Sequence, residues 1–244
     1  MEVRNSQWST GRVKTFFSML ITSLLIHFLA NALIRHLRYF SQNHGVRLVP
    51  IEHGIMSEKA GMKEELMTIQ SFVRNHLAKS ASQSVYSLGP TEGDTERVAY
   101  LAQHQLFEQI EDLKNDVINP TECGKSGPSH VNAWIGTGGT RTPLHFDSYD
   151  NLFVQVVGSK YIRLYDKSET SKLYVIKGND NSYSRQGNMS AVDCEKENYS
   201  IHPQAESAKY TEVILFPGDA VYIPAKTWHY VRGLSTSASV NFWW

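Results

Sequence analysis

The sequence predicts a mainly β domain, a sandwich or barrel, behind a helical N-terminal cover. From His130 onward, short β-branched and aromatic runs succeed one another at close spacing. Gly158-Ser159 and Pro217-Gly218-Asp219 punctuate them as hairpin-type turns, the pattern of many short strands. Ahead of His130, apolar residues recur at helical spacing instead.

In chain order, the run from Phe16 to Ile34 carries no formal charge and is long enough, as a helix, to approach a bilayer core. His27, Asn31 and its hydroxyl residues fit a packed helix better than lipid, so residues 1–38 read as an atypical apolar helix, either a membrane anchor or a packed element. Gly45 to Glu52 is apolar and β-branched enough for a strand. Thr68 is placed to cap a helix through Leu77, with Ile69, Phe72, Val73 and His76 on one face. Ser80 to Asp94 reads as a loop, Val98 to Ala102 as a strand, Leu106 to Val117 as a short acidic helix and Thr121 to Ser129 as a second loop. Strands are expected at Val131–Ile135, Leu152–Val157, Tyr161–Tyr165, Val213–Phe216, Ala220–Ile223, His229–Val231 and Ala238–Trp243. Gly178 to Gln204 is polar and irregular, long enough for a functional insert.

A chain of 244 residues has room for one large domain. Its 24 basic and 24 acidic side chains balance, which excludes a basic nucleic-acid arm, and no direct nucleic-acid contact is expected. Cys123 and Cys194 are too few for a disulfide framework or a thiolate zinc site. Gly136 to Gly139 lacks the helix and late glycine of a dinucleotide site, and Asn119 stands where a phosphate-binding loop ending at Gly124-Lys125-Ser126 needs glycine.

The sharpest local feature is Thr142-Pro143-Leu144-His145-Phe146-Asp147. On an extended strand, residues two apart share a face, so His145 and Asp147 offer an imidazole and a carboxylate to one point. His229, between Trp228 and Tyr230, is the obvious third ligand. Two histidines and one carboxylate on one face of an octahedron leave open positions, the arrangement of non-haem Fe(II) oxygenases. The bland alternative is a hydrogen-bonded surface pair with an ordinary strand histidine. With no flavin or nicotinamide fingerprint, the electrons must come from a 2-oxo acid co-substrate, whose far carboxylate needs a buried cation with hydroxyl support. Lys160, Thr142 and Tyr100 are the right types, although a lysine after Gly-Ser also suits a solvated turn.

At these residues the chain resembles a JmjC-domain oxygenase. The likeness runs through Leu48–Glu52, Tyr100–Phe107, Val131–Trp134, His145–Asp147, Asn151–Tyr165, Phe216–Asp219, Tyr222–Pro224, Trp228–Arg232 and Val240–Trp244, in order, and covers about residues 39–244. It is similar above all to the small, cupin-like JmjC hydroxylase group typified by lysine-specific demethylase 8. The resemblance implies a double-stranded β-helix of the jelly-roll kind that uses Fe(II), 2-oxoglutarate and O2. It implies that His145, Asp147 and His229 hold iron, and that Lys160, Thr142 and Tyr100 bind the distal carboxylate of 2-oxoglutarate. Asn151 would meet its iron-bound end, Trp134 would line the pocket and Gln103 would stand nearby. Residues 1–34 match nothing in the family pattern.

The implied activity is hydroxylation of a protein or peptide side chain, with succinate and CO2 released. Demethylation of N-methyl-lysine, as in histones, is the alternative by the same chemistry, and a non-catalytic metal- or peptide-binding barrel is the alternative of another class. A cytoplasmic or nuclear location is expected, or a membrane-anchored one if residues 16–34 span a bilayer. The triplets Asn188-Met189-Ser190 and Asn198-Tyr199-Ser200 would be glycosylated only in a lumen.

Overall fold

A computed structural model describes residues 33–54, 63–81, 98–176, 187–195 and 198–244. Within them lie β1 (Leu48–His53), β2 (Lys63–Thr68), β3 (Ala99–His104), β4 (His130–Gly136), β5 (Arg141–His145), β6 (Asn151–Val157), β7 (Lys160–Tyr165), β8 (Tyr210–Leu215), β9 (Ala220–Ile223), β10 (Trp228–Gly233) and β11 (Ser237–Trp243). A seven-stranded sheet runs β2-β1-β3-β4-β11-β6-β9 and faces a four-stranded sheet, β5-β10-β7-β8, with every pairing antiparallel.

From β4 onward, every connection except β7–β8 passes from one sheet to the other. That alternation is the jelly-roll topology and closes the sheets over a shared core. Phe153, Val221 and Ile223 from the large sheet meet Ile162, Leu164, Leu215 and Val231 from the small one. The same alternation corrects the hairpin reading of two turns. Gly158-Ser159 and residues 217–219 join strands of different sheets, because glycine and proline show where the chain bends but not which neighbour it meets. Gly158 has φ +70°, and a Cβ there would lie 2.1 Å from the Thr236 carbonyl oxygen. Only glycine fits this corner.

The N-terminal cover extends the large sheet. Helix α1 (Leu33–His44) contributes Leu37 and Phe40 to a core with Val49, Ile51, Ala99 and Leu101. Thr68 caps the next helix, its Oγ1 accepting the Ser71 N–H at 3.1 Å. This helix, α2, starts at Ile69–Phe72, widens through a π-turn at Val73–Leu77 and ends at Ala78–Ala81. The extra residue in that turn puts Leu77 in the core beside Ile69, Phe72 and Val73, while His76, expected on that face, packs its ring against His53 at 5.1 Å. The acidic helix of Leu106 to Val117 is two pieces, α3 (Leu106–Gln109) and α4 (Glu111–Asn115). Ile110 between them is extended, at φ −128° and ψ 100°, and inserts its side chain into the cover core.

Strand β2 has no counterpart among the expected strands, because Lys63 to Leu66 is exposed and leaves no alternating pattern. The long β7–β8 connection packs Leu173, Val192, Cys194, Ala205 and Ala208 on Leu144, Trp228 and Tyr230 behind the small sheet. Both glycosylation triplets belong to this packing. Asn188 Nδ2 donates to the Phe146 carbonyl at 2.9 Å, and Asn198 Oδ1 accepts the Asp193 N–H at 3.1 Å. The Ser80–Asp94 loop from residue 82 on and, within the expected insert, residues 178–186 and 196–197 lie outside the described residues, as does the apolar run up to residue 32. Among the described residues, no helix is long and apolar enough to cross a membrane.

Gly158→Ala should destabilise the fold by at least about 2 kcal/mol, which lowers the melting temperature by roughly 4–8 °C. An unchanged melting temperature in a calorimetric scan would contradict the corner geometry.

Candidate metal centre

Strand register assembles the site. His145 on β5 lies directly across from His229 on β10, whereas Val231 lies across from Thr142. Between these two pairs Tyr230 of β10 opposes both Pro143 and Leu144, so β5 carries one extra residue as a bulge. Without it, Thr142 and His145, an odd number apart, would face opposite sides of the sheet. With it, both line the same cavity. Asp147 follows the end of β5 rather than sitting on it, yet turns back to the two histidines.

The ligand atoms of His145, Asp147 and His229 all lie within 4.8 Å of one another. Asp147 Oδ2 is 3.8 Å from His145 Nε2 and 3.5 Å from His229 Nε2, and the ring centroids are 4.1 Å apart. Each Nδ1 faces a carbonyl oxygen, that of Pro143 at 2.8 Å for His145 and that of Thr227 at 3.0 Å for His229. A carbonyl only accepts, so Nδ1 carries a proton in each ring and Nε2 is the nitrogen turned toward Asp147. Burial, reinforced by the second imidazole, pushes His145 down to about 4. Burial alone would raise Asp147, but His229 and then His145 outweigh it and hold the carboxyl below its ordinary value. Two imidazoles and one carboxylate form a donor set that fits a divalent ion and keeps positions free for further ligands.

The cavity continues between Tyr100, Trp134, Asn151, Phe153, Ile223, Val231 and Asn241. Behind the Tyr100 and Phe153 walls of this cavity, Lys160 is wholly buried at the start of β7, which removes the solvated-turn alternative. Its Nζ donates to the Tyr100 hydroxyl at 3.2 Å and sits over the rings of Tyr100 and Phe153 at 5.2 and 5.4 Å. Burial brings this ammonium down to about 7 and raises the Tyr100 phenol, which also hydrogen-bonds Thr142. Lys160, Tyr100 and Thr142 are therefore one connected group. Gln103 departs from the sequence expectation, since it is an exposed residue with φ +45° at a bulge in β3, outside the cavity lining.

Asn241, not among the residues expected from sequence, joins the site. Its Oδ1 accepts from Trp134 Nε1 at 2.9 Å and Asn132 Nδ2 at 3.2 Å, and its Nδ2 donates to Asn151 Oδ1 at 3.1 Å. An indole N–H only donates, so the orientation of the whole chain of amides is determined. The available signal was a polar residue inside an otherwise apolar strand, Val240 to Trp244.

Residues 33–244 match the family model described as the cupin-like domain. The chain belongs to the cupin-like JmjC family. This JmjC domain is 40% identical over 210 residues to lysine-specific demethylase 8 of Xenopus tropicalis, covering 84% of the chain and 43% of that protein. It is 37% identical over 228 residues to lysine-specific demethylase JMJ30 of Arabidopsis thaliana, 93% of the chain and 49% of the relative. To JmjC domain-containing protein F of Dictyostelium discoideum the identity is 36% over 254 residues, 86% and 53% respectively. The chain thus spans about half the length of these curated relatives.

Lys160 gives the JmjC domain a pH signature. Between about pH 7 and its ordinary value of 10.5, the unfolded chain binds a proton on this lysine that the folded chain does not. Stability from this group therefore rises with pH across that window. Denaturant titrations of the metal-free protein should show the gap between wild type and Lys160→Met changing in the wild type's favour from pH 7 to 10. A pH-independent gap would show that the ammonium is not desolvated.

Proposed function

We propose that this domain is an Fe(II)- and 2-oxoglutarate-dependent dioxygenase that hydroxylates a protein side chain. The observation that carries the proposal is one cavity lined by both the His145–Asp147–His229 donor set and the hydroxyls of Tyr100 and Thr142, with the buried Lys160 bonded to Tyr100 behind that wall. A five-carbon diacid that chelates a metal through its 2-oxo end needs such a pair.

His145, Asp147 and His229 would hold the iron, and family membership implies Fe(II) with 2-oxoglutarate as co-substrate. Bound there, these would supply the oxidising power that puts one atom of O2 into a substrate C–H bond and the other into succinate, with loss of CO2. The chain's own part is positional. Lys160, Tyr100 and Thr142 take the distal carboxylate as charge-assisted hydrogen-bond partners. Asn151, its oxygen already turned to Asn241, offers its NH2 to the opposite end. Trp134, Phe153, Ile223 and Val231 give the cavity an apolar wall that excludes bulk water.

Two relatives are named as lysine-specific demethylases, which supports N-methyl-lysine as the second reading of the substrate; a protein or peptide is the substrate class in both. The domain that carries the chemistry is taken as residues 39–244, a boundary that falls inside α1, while residues 1–32 lie outside the described residues. A cytoplasmic or nuclear setting is favoured, since the carboxamides of both glycosylation triplets are engaged in hydrogen bonds within the fold.

Incubation with Fe(II), 2-oxoglutarate and O2 should yield succinate, measured by NMR, and His145→Ala should reduce it by roughly 100-fold or more. Lys160→Met should raise the KM for 2-oxoglutarate. No succinate from the iron-loaded wild-type chain, with or without peptide substrates, would contradict the proposal.

A further inference from the structure

Asp147 sits on the β5–β6 loop and His229 on β10, so some contact outside strand pairing must fix their separation. We infer that Asp150 is a positioning residue whose carboxylate holds the β9–β10 turn against the loop bearing Asp147 and so sets the Asp147–His229 geometry. The inference rests on the metal-holding role proposed above for those two side chains.

Asp150 Oδ1 accepts two hydrogen bonds, from the Tyr222 hydroxyl at 2.6 Å and from the Ala225 N–H at 3.2 Å. The next N–H along the turn, that of Lys226, donates to the Asp147 carbonyl at 2.7 Å. One residue further, the Thr227 carbonyl accepts from His229 Nδ1 at 3.0 Å. A continuous path thus leads from the main chain of Asp147 through the turn to the imidazole of His229. Lys226 has φ +64°, a left-handed conformation that costs a long side chain energy and persists only where neighbours enforce it. Here it aims the Lys226 N–H at Asp147. The neighbouring N–H, held by Asp150, braces that conformation. Asp150 is itself tied down, its N–H and carbonyl exchanging 3.2 Å hydrogen bonds with Trp244. Without the Asp150 acceptor, the Ala225 N–H and Tyr222 hydroxyl would turn to water, the turn would relax, and Asp147 would lose its register with His229.

The test measures Mn(II) affinity of the full chain by electron paramagnetic resonance, without co-substrate or turnover, together with the Co(II) d–d spectrum. Asp150→Ala should weaken Mn(II) binding by about 10–100-fold, the range for residues that orient metal ligands, and should alter the Co(II) bands. Asp150→Asn removes the same charge but keeps the accepting oxygen, so it should bind Mn(II) close to wild type. Tyr222→Phe, which removes one of the two donors, should fall between. Leu77→Ala, in the distant cover core, should lower the melting temperature and leave Mn(II) affinity unchanged. Asp150→Ala binding as tightly as wild type would overturn the inference. So would Asp150→Asn falling as far as Asp150→Ala, because charge rather than geometry would then be responsible. A chain that binds Mn(II) but converts no 2-oxoglutarate would contradict the oxygenase proposal while leaving this inference to the affinity series.

Discussion

The pairing of β5 with β10 sets His145 directly across from His229, so two imidazoles share the inner face of the small sheet with ring centroids 4.1 Å apart. Directly opposed residues of an antiparallel pair have Cβ atoms about 5 Å apart, which is why the distance comes from the sheet and not from flexible side chains. The bulge in β5 then brings Thr142 to the same face. A one-residue slip would turn one histidine outward and dismantle the donor set.

Around that pairing, the fold puts an unusual number of polar groups in its interior. Lys160, Asn132, Asn241 and Gln155 are almost wholly buried. Each has a partner: Lys160 has Tyr100, the asparagines have one another and Trp134, and Gln155 has Ser239 at 2.8 Å. Burying such groups unpaired would cost several kcal/mol each, so these partners are part of what keeps the interior stable. They also leave the cavity prearranged. Oriented amides, a desolvated ammonium and imidazole Nε2 atoms turned toward Asp147 can meet an anionic chelator and a divalent ion with little further reorganisation.

Much of this was legible in the residues. Strands of the barrel announced themselves through β-branched runs, and Ala220–Ile223 and the region of β11 lie where they were expected. Local signals failed where the deciding contact is distant. Gly158-Ser159 looks like a hairpin turn in sequence and is a corner between sheets in space. Leu106 to Val117 has helical periodicity, but burial of Ile110 breaks it. Strand alternation pairs His145 with Asp147 in sequence, yet Asp147 reaches the site from a loop that other elements hold. The donor triad and Lys160 stood out because their residue types are costly to bury without a purpose. Asn241 and Asp150 did not, because their roles lie in what they touch rather than in what they are.

The central claim is that these three side chains bind one metal ion while Lys160 anchors the far end of a dicarboxylate. An anaerobic crystal structure with Mn(II) and an unreactive 2-oxo acid analogue tests both parts together. The account predicts a single ion ligated by His145 Nε2, Asp147 and His229 Nε2 at about 2.0–2.3 Å, chelated by the analogue, with the distal carboxylate against Lys160, Tyr100 and Thr142. An ion bound elsewhere, or an analogue whose distal carboxylate points away from Lys160, would contradict it.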